Sequence, residues 1–389
     1  MPLLGNLLPM CPSHASTKSP FDAGARSNRA QGLSEATSKG LSLVEFLANS
    51  ADGNGQMAAL GALLRAIAQA AIQAAELVSL GCIADGIGGP ADSVNSDGDV
   101  QKQLDLAAND IFIEALRSAP VAVVLSEELA GPLALNPGAP LAVAIDPLDG
   151  SSNIDANVSI GTIFSVLPAA RPGPSEDSSR FEDPFLRPGS EQLAAGFVIY
   201  GPQTSLVFTL GHGVHVFTLD RQAGEFRLTN AALAIPDDSI EYAVNASNYR
   251  HWGDSIRAYI DDCIRGGDGP LGRDHNMRWI ASLVADAYRI LVRGGVFLYP
   301  GDQRRGYANG RLRLIYEANP ICFLVEQAGG SGTDTVRRIL DIVPQELHAR
   351  TPIIFGSAAA VERIGHYHTN PQFSAERAPL FFQRGLFRR

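Results

Sequence analysis

Two short apolar runs in this sequence each end on acids. Residues 121–125 lead into Ser126-Glu127-Glu128, and residues 141–145 lead into Asp146-Pro147-Leu148-Asp149-Gly150-Ser151-Ser152. Continuous apolar runs of that length fit strands buried on both faces. In α/β sheets, ligands collect at the carboxyl ends of strands, and both runs deliver carboxylates there. If the two strands are parallel neighbours, four carboxylates converge. Such a cluster repels itself and stays ionised only beside a compensating cation. Oxygen-only donors select a hard ion, so Mg2+ or Mn2+ is expected. Pro147 fixes a backbone angle that helps to aim Asp146 and Asp149 at one place. Gly150-Ser151-Ser152 offers N–H groups and hydroxyls at an expected helix start, a natural phosphate cradle. Metal carboxylates beside a phosphate cradle describe phosphoester hydrolysis. Alone, Asp-x-x-Asp-Gly-Ser is also what a solvated turn with a capping residue looks like. The buried strand before it and the Glu-Glu partner favour the chemical reading.

The elements that must position these groups follow from periodicity. Residues 57–80 form the longest apolar stretch, but Arg65, Gln69, Gln73 and Glu76 recur at spacings of four, four and three. That single polar stripe marks an amphipathic helix on a folded core rather than a membrane span. Residues 100–117 repeat the pattern, with Leu104, Ala108, Ile111 and Phe112 on one face. Strands are expected over 161–167 and within 194–219, and 168–189, rich in Pro, Ser and Asp, reads as a long surface loop. A second mixed region starts near Ile240. It has a helix over 278–291, strands over 296–299 and 312–316, a helix over 321–328 ended by Gly329-Gly330, and a final strand over 353–356. Alternation of this kind implies a layered α/β fold.

Composition sets the outer bounds. The chain has 389 residues, of which 45% are hydrophobic, enough for a large core and for two domains of ordinary size. With 31 Lys+Arg against 41 Asp+Glu, the net charge is -10, which suits neither nucleic acid nor an anionic surface. An anionic substrate must therefore be held locally. Cys11, Cys82, Cys263 and Cys322 show no C-x-x-C spacing and no disulfide framework, so a reducing, cytoplasmic setting is the expectation. Residues 1–40 read as a mobile tail and 371–389 as a second one. Between them, 41–235 and 236–370 are expected as two domains.

The string Ile145-Asp146-Pro147-Leu148-Asp149-Gly150-Ser151-Ser152-Asn153-Ile154-Asp155 resembles the signature of class I fructose-1,6-bisphosphatases. Its Asp-Pro-Leu-Asp-Gly core is shared with the inositol monophosphatases, so further segments carry the distinction. Gly98-Asp99-Val100-Gln101-Lys102 with Leu104-Asp105, Gly196-Phe197-Val198-Ile199-Tyr200-Gly201-Pro202 and Leu283-Val284-Ala285-Asp286 all look like that family. So do Phe297-Leu298-Tyr299-Pro300 and Leu312-Arg313-Leu314-Ile315-Tyr316-Glu317-Ala318-Asn319-Pro320, in the family's order.

The resemblance implies a layered αβαβα sugar-phosphatase fold with mixed sheets. It also implies Mg2+-dependent hydrolysis of the 1-phosphate of fructose 1,6-bisphosphate, in gluconeogenesis or the Calvin cycle. Sedoheptulose 1,7-bisphosphate is the alternative or second substrate. Carried over, the metal ligands are Glu127, Asp146, Asp149, Glu317 and the Leu148 carbonyl. Asp99, Asp105 and Glu128 position or deprotonate the attacking water. Asp149 with the backbone at Gly150, Ser151 and Ser152 holds the reacting end of the substrate. Asn245, Tyr249, Arg278, Trp279, Tyr299 and Arg311, with Arg313 nearby, hold the other end. The family's counterpart of Arg278 reaches across a subunit interface, so a homo-oligomer, usually a tetramer, is implied. Trp279 stands where tyrosine is usual and Arg311 where lysine is usual, which alters the donors offered to the distal phosphate. Asp52-Gly53-Asn54-Gly55-Gln56 and Pro140-Leu141 depart from the family's AMP site, so weak or absent AMP inhibition is expected. His212 and His215 alternate like a metal pair, but a structural role is expected for both.

Overall fold

The computed structural model describes residues 40–50, 54–81, 90–94, 100–169 and 181–369, with the backbone alone for 90–94 and 100–102. Apart from Gly40, the two expected tails lie outside the described residues, as do Asp52, Gly53, Asp99 and part of the 168–189 loop.

Period-two burial decides the layering. Eight strands make the larger sheet: β3 (Val121–Ser126), β4 (Leu133–Ala134), β5 (Leu141–Asp149), β6 (Ile160–Pro168), β7 (Ala194–Tyr200), β8 (Thr204–Thr209), β9 (His215–Asp220) and β10 (Glu225–Asn230). They lie in the order β10-β9-β8-β7-β6-β5-β3-β4. A separate two-stranded ribbon precedes them, β1 (Pro90–Val94) with β2 (Val100–Lys102). Along β5, Leu141, Val143 and Ile145 face one apolar cluster, while Ala142 and Ala144 face another. The first face is covered by α2 (Gly55–Leu80) and α3 (Gln103–Arg117), through Leu63, Ile67, Ala71 and Phe112. A short α1 (Leu43–Ser50) packs on the same side. Length and composition would let α2 cross a membrane, but Arg65, Gln69, Gln73 and Glu76 form its exposed edge and the opposite face is buried core. Asn54 caps its start by accepting from the Gln56 N–H at 3.0 Å.

The opposite face of the large sheet carries α5 (Leu283–Arg293) and α6 (Asn319–Gln327), where Ile163, Phe197 and Val207 meet Val284, Ile290, Ile321 and Leu324. Those helices are shared with a five-stranded sheet. It consists of β11 (Glu241–Val244), β12 (Asn276–Met277), β13 (Val296–Tyr299), β15 (Ser331–Thr333) and β17 (Ile353–Gly356), in the order β12-β11-β13-β17-β15. Phe297 and Phe355 point back at α5 and α6. Val296, Leu298 and Ile354 point outward at α4 (Asp254–Arg265) and α7 (Ala358–Thr369). A small pair, β14 (Leu312–Arg313) with β16 (Arg350–Thr351), completes the strands. The stack is helix, sheet, helix, sheet, helix, which is the expected αβαβα architecture with mixed sheets.

Three local readings change. The helix expected from 278 begins only at Leu283, because Ala281 adopts φ 66° and the Asp286 carboxylate accepts the Ile280 N–H at 3.2 Å. The strand expected over 312–316 stops at Arg313, and Leu314–Ala318 coils into a π-helical turn that runs into α6. Gly150-Ser151-Ser152 opens no α-helix: Ser151–Asn153 is one 3-10 turn entered through Gly150 at φ 81°.

Candidate active site

β3 and β5 are parallel neighbours, paired Ser126 to Ile145, and the Glu127 N–H donates to the Ile145 carbonyl at 3.0 Å. Glu127 and Asp146 are therefore delivered side by side at the carboxyl ends of two buried strands. β5 continues through the acidic string. Asp146 pairs with Ile163 and Asp149 with Gly161 on β6, so Pro147 and Leu148 together oppose the single residue Thr162. This is a bulge, the place in a sheet interior that tolerates proline and re-aims the flanking side chains. Thr162 Oγ1 donates to the Pro147 carbonyl at 2.8 Å and pins it.

Glu317 arrives from the π-helical turn. The extra residue in that turn brings its carboxylate back to accept the Arg313 N–H at 2.5 Å. Asp146, Asp149 and Glu317 are all buried, at 4%, 7% and 7% exposure. Burial first, and then Glu127, Asp149 and Glu317, push the Asp146 carboxyl well above its usual range, and Asp146 shares a side-chain hydrogen bond with Glu127. Burial followed by Glu127 and Asp149 does the same to Glu317, against the pull of Arg313. Burial and Glu127 raise Asp149 to about 7, while the Val284 N–H at the start of α5 pulls it down. Buried acids that repel one another in this way have the donor chemistry of a hard divalent cation site.

The acids do not stand as a ready coordination shell. Among the described residues, no three His, Cys, Asp or Glu side chains are gathered to clasp an ion. Each acid already accepts a protein N–H: Asp146 that of Leu148 at 3.0 Å, Asp149 that of Val284 at 3.4 Å and Glu317 that of Arg313. Glu127 takes the Arg313 guanidinium, Nε to Oε1 at 2.7 Å. This relocates Arg313. Grouped with the distal residues by sequence, it is instead buried at 2% exposure against the acids. The turn after β14 directs its side chain inward.

Beside the acids lie Gly150 and the 3-10 turn Ser151–Asn153. Asn153 Nδ2 ties it to α5 by donating to the Ala281 carbonyl at 2.8 Å. Ser282, which precedes α5, is buried with no hydrogen-bond partner for its Oγ among the described residues. A Cβ on Gly150 would sit 3.9 Å from that oxygen. Asp105 is buried in the first turn of α3, one turn before Asn109, whose Oδ1 accepts from Ser126 Oγ at 2.7 Å. Glu128 is half-buried just past Glu127, its N–H directed to Ser126 Oγ at 3.3 Å.

Of the distal residues, Trp279, Tyr299 and Arg311 form a second group. Trp279 stacks on Phe297 at 5.5 Å between centroids and lies 6.3 Å from the Tyr299 ring. Burial raises the Tyr299 hydroxyl, and Arg311 and Arg304 pull it back. Asn245 caps a 3-10 turn, accepting from Ser247 Oγ at 2.6 Å. Tyr249 donates its hydroxyl to Asp261 of α4 at 2.7 Å, and it is Asn248 that meets the group, through Arg304 at 3.1 Å. Arg278 stands exposed at the end of β12, its Nη1 on the Met277 carbonyl at 3.0 Å. His215 is structural: it is tied to the Ala231 carbonyl at 2.6 Å and lies against Phe46.

Sequence reasoning missed Arg304, Tyr307 and Ser282, and gave Asp286 no role beyond its place in a family-like segment. Asp286 accepts the Ile280 N–H and braces the chain into α5, and Ser282 had a weak signal as a serine before an apolar helix face. Arg304 and Tyr307 had none, since the loop that holds them shows no periodicity.

Comparison with known proteins adds an independent line. Residues 43–231 match the family described as Fructose-1-6-bisphosphatase, N-terminal domain, and residues 235–369 match its C-terminal domain. A fructose-1,6-bisphosphatase class 1 of Sinorhizobium medicae is 56% identical over 329 residues, 85% of this chain and 93% of that protein. One of Rhizobium meliloti is 54% identical over 350 residues, 90% and 99% of the two chains. The crystal structure of Leishmania major fructose-1,6-bisphosphatase in holo form superposes with a TM-score of 0.78 at 34% identity, covering 85% of this chain and 99% of that one.

Proposed function

The chain belongs to the class 1 fructose-1,6-bisphosphatase family and is a phosphoric monoester hydrolase, and from that premise we propose that it removes the 1-phosphate of fructose 1,6-bisphosphate. The observation that carries this reading is that buried Asp146, Asp149 and Glu317 and half-buried Glu127 lie close enough to repel one another, beside the turn at Gly150. Glu127, Asp146, Asp149, Glu317 and the Leu148 carbonyl would hold Mg2+ or Mn2+. Such a cation supplies charge neutralisation at the phosphate and a more acidic nucleophilic water.

The chain's own groups do the rest. Backbone N–H groups at Gly150, Ser151 and Ser152 hold the reacting phosphate, and the α5 N-terminus adds its dipole on that side. Asp105 and Glu128, with Asp99, hold the proton of the attacking water. Asn245, Tyr299, Trp279 and Arg311 orient the sugar and its second phosphate, so the substrate arrives with phosphorus facing the acids. We further propose a cytoplasmic homo-oligomer, a tetramer, to which the exposed Arg278 contributes across an interface. The service is gluconeogenesis or the Calvin cycle.

Phosphate release from fructose 1,6-bisphosphate, with and without a chelator, tests the reading. Asp149→Ala should abolish release, at least ~1,000-fold by analogy with the loss of a principal charge-stabilising group, while the far-UV spectrum stays that of the parent. Undiminished turnover would reject the assignment. Sedoheptulose 1,7-bisphosphate belongs in the same assay, because Trp279 and Arg311 depart from the family pattern on the distal side.

A further inference from the structure

The loop between β13 and β14 builds an arrangement around one tyrosine. Tyr307 is half-buried, and two guanidinium carbons lie over its ring, Arg304 at 4.1 Å and Arg311 at 4.8 Å from the centroid. The Arg311 Nη1 also donates to the Tyr307 hydroxyl at 2.7 Å. Two like charges on one ring need a reason, and their partners differ. Arg304 is neutralised: its Nε donates to both oxygens of Asp302 at 3.0 Å, its Nη2 also meets Asp302, and the same nitrogen reaches Asn248 Oδ1. Asp302 is buried at 8% exposure, and its Oδ1 also accepts the Arg304 N–H at 2.9 Å, so the fork is held from two sides. Arg311 has no such partner. Among the described residues, no carboxylate lies within ion-pair distance of it, and its guanidinium meets the tyrosine's hydroxyl and ring.

A neutralised arginine thus backs the ring, and the ring and hydroxyl hold a second arginine that has no carboxylate partner among the described residues. A guanidinium fork without a carboxylate among the described residues, near enough to Tyr299 to act on its hydroxyl, is a receptor for a phosphate dianion. Holding it in place before the anion arrives removes part of the ordering cost of binding.

We propose that Tyr307 is a positioning residue that aims Arg311 at the phosphate remote from the reacting centre, with the Asp302–Arg304 fork as its backing. The proposal rests on the reading of Arg311 as a distal-phosphate residue and extends it to residues outside the sequence-derived set. Tyr307 acts on recognition of a bisphosphate and leaves the chemistry at the other end alone.

Steady-state kinetics on fructose 1,6-bisphosphate and on fructose 1-phosphate, which lacks the distal group, test this. Arg311→Ala should raise KM for the bisphosphate ~10- to 100-fold, the range for losing a charge-assisted hydrogen bond. Tyr307→Phe keeps the ring and should raise that KM ~3- to 10-fold with kcat held. Tyr307→Ala should cost more, as the cation–π contact goes as well. Neither tyrosine variant should alter kcat/KM for fructose 1-phosphate. In an Arg311→Ala background, Tyr307→Phe should cost nothing further. An unchanged bisphosphate KM in Tyr307→Phe, an equal loss on both substrates, or a full loss in the double variant would each overturn the positioning role alone. An unchanged KM in Arg311→Ala would overturn the distal-phosphate reading and the positioning role with it. Should Tyr307→Ala fold poorly on thermal unfolding, the Tyr307→Phe results decide.

Discussion

Replacing Arg313 by methionine, which keeps the chain length and removes the charge, isolates the electrostatics of the acid cluster. The guanidinium Nε lies 2.7 Å from Glu127 Oε1, with side-chain exposures of 3% and 18%, and the backbone N–H of the same residue holds Glu317. With charge centres about 4 Å apart and an effective dielectric near 20, the direct attraction is ~4 kcal/mol. Breaking one side of a buried pair costs ~3–5 kcal/mol, because the surviving charge keeps its desolvation penalty. Here the survivor also faces Asp146, Asp149 and Glu317. A chain of this length has an unfolding entropy of ~0.8 kcal/mol/K. For one cooperative transition the variant's Tm in a chelator should therefore fall by ~4–6 °C. Mg2+ or Mn2+ supplies positive charge to the same carboxylates without displacing a guanidinium. It should raise the variant's Tm more than the parent's, with half-saturation at ~10-fold lower concentration if about 1.4 kcal/mol of the lost attraction is recovered. Arg313→Lys should recover part of the chelator-state loss. Thermal unfolding by circular dichroism, across a titration of the cation, measures all three. A variant melting within a degree of the parent in chelator, with the same cation dependence, would show that Arg313 is not the counter-ion of these acids.

Two further perturbations probe how α5 is set against the site. Burial raises the Asp286 carboxyl to about 7, against the opposing pull of N–H groups at Ile280, Ala281 and Ser282. Its folded pKa exceeds its unfolded one, so the folded state holds the extra proton between about pH 4 and 7 and loses stability as pH rises through that window, by at most ~4 kcal/mol. Asp286→Asn removes this titration, and its Tm in chelator should gain on the parent's between pH 5 and pH 8; parallel curves would refute the assignment. At Gly161, paired with Asp149 on β6, an added Cβ would fall 2.2 Å from the Val198 carbonyl and 2.7 Å from a Val284 methyl. Gly161→Ala should cost ~1–3 kcal/mol of stability by overpacking and lower turnover further by moving the Val284 N–H off Asp149. Parent-like phosphate release would show that this close approach is not needed.

The parts of the site that were legible are those that depend on a strand's period and its end. Residues 121–125 and 141–145 announce two doubly buried strands by apolarity alone, and the acids follow immediately, so Glu127, Asp146 and Asp149 could be placed before any coordinates. The polar stripe of α2 was equally readable, because a helix that covers a sheet must leave one face wet. What stayed hidden depends on backbone departures that no period encodes. The bulge at Pro147 and Leu148 keeps Asp149 within the sheet instead of releasing it into a turn. The π-helical turn after β14 supplies one extra residue just where Glu317 must fold back on the Arg313 N–H. In both cases the chain gives up regular hydrogen bonding at the residue that carries an acid into the core, and the neighbouring N–H groups are redirected onto those acids. A pattern of apolar and polar residues cannot report that exchange, since the same residues satisfy it with or without the irregular turn. Arg313 shows the consequence: by spacing it stands two residues after Arg311 and looks like its companion, yet the turn that begins after it puts its guanidinium on Glu127 while Arg311 lies against Tyr307. Two arginines only two positions apart thus meet different surroundings: Arg313, in β14, offsets charge among the acids, and Arg311, just before that strand, lies on the Tyr307 ring and hydroxyl.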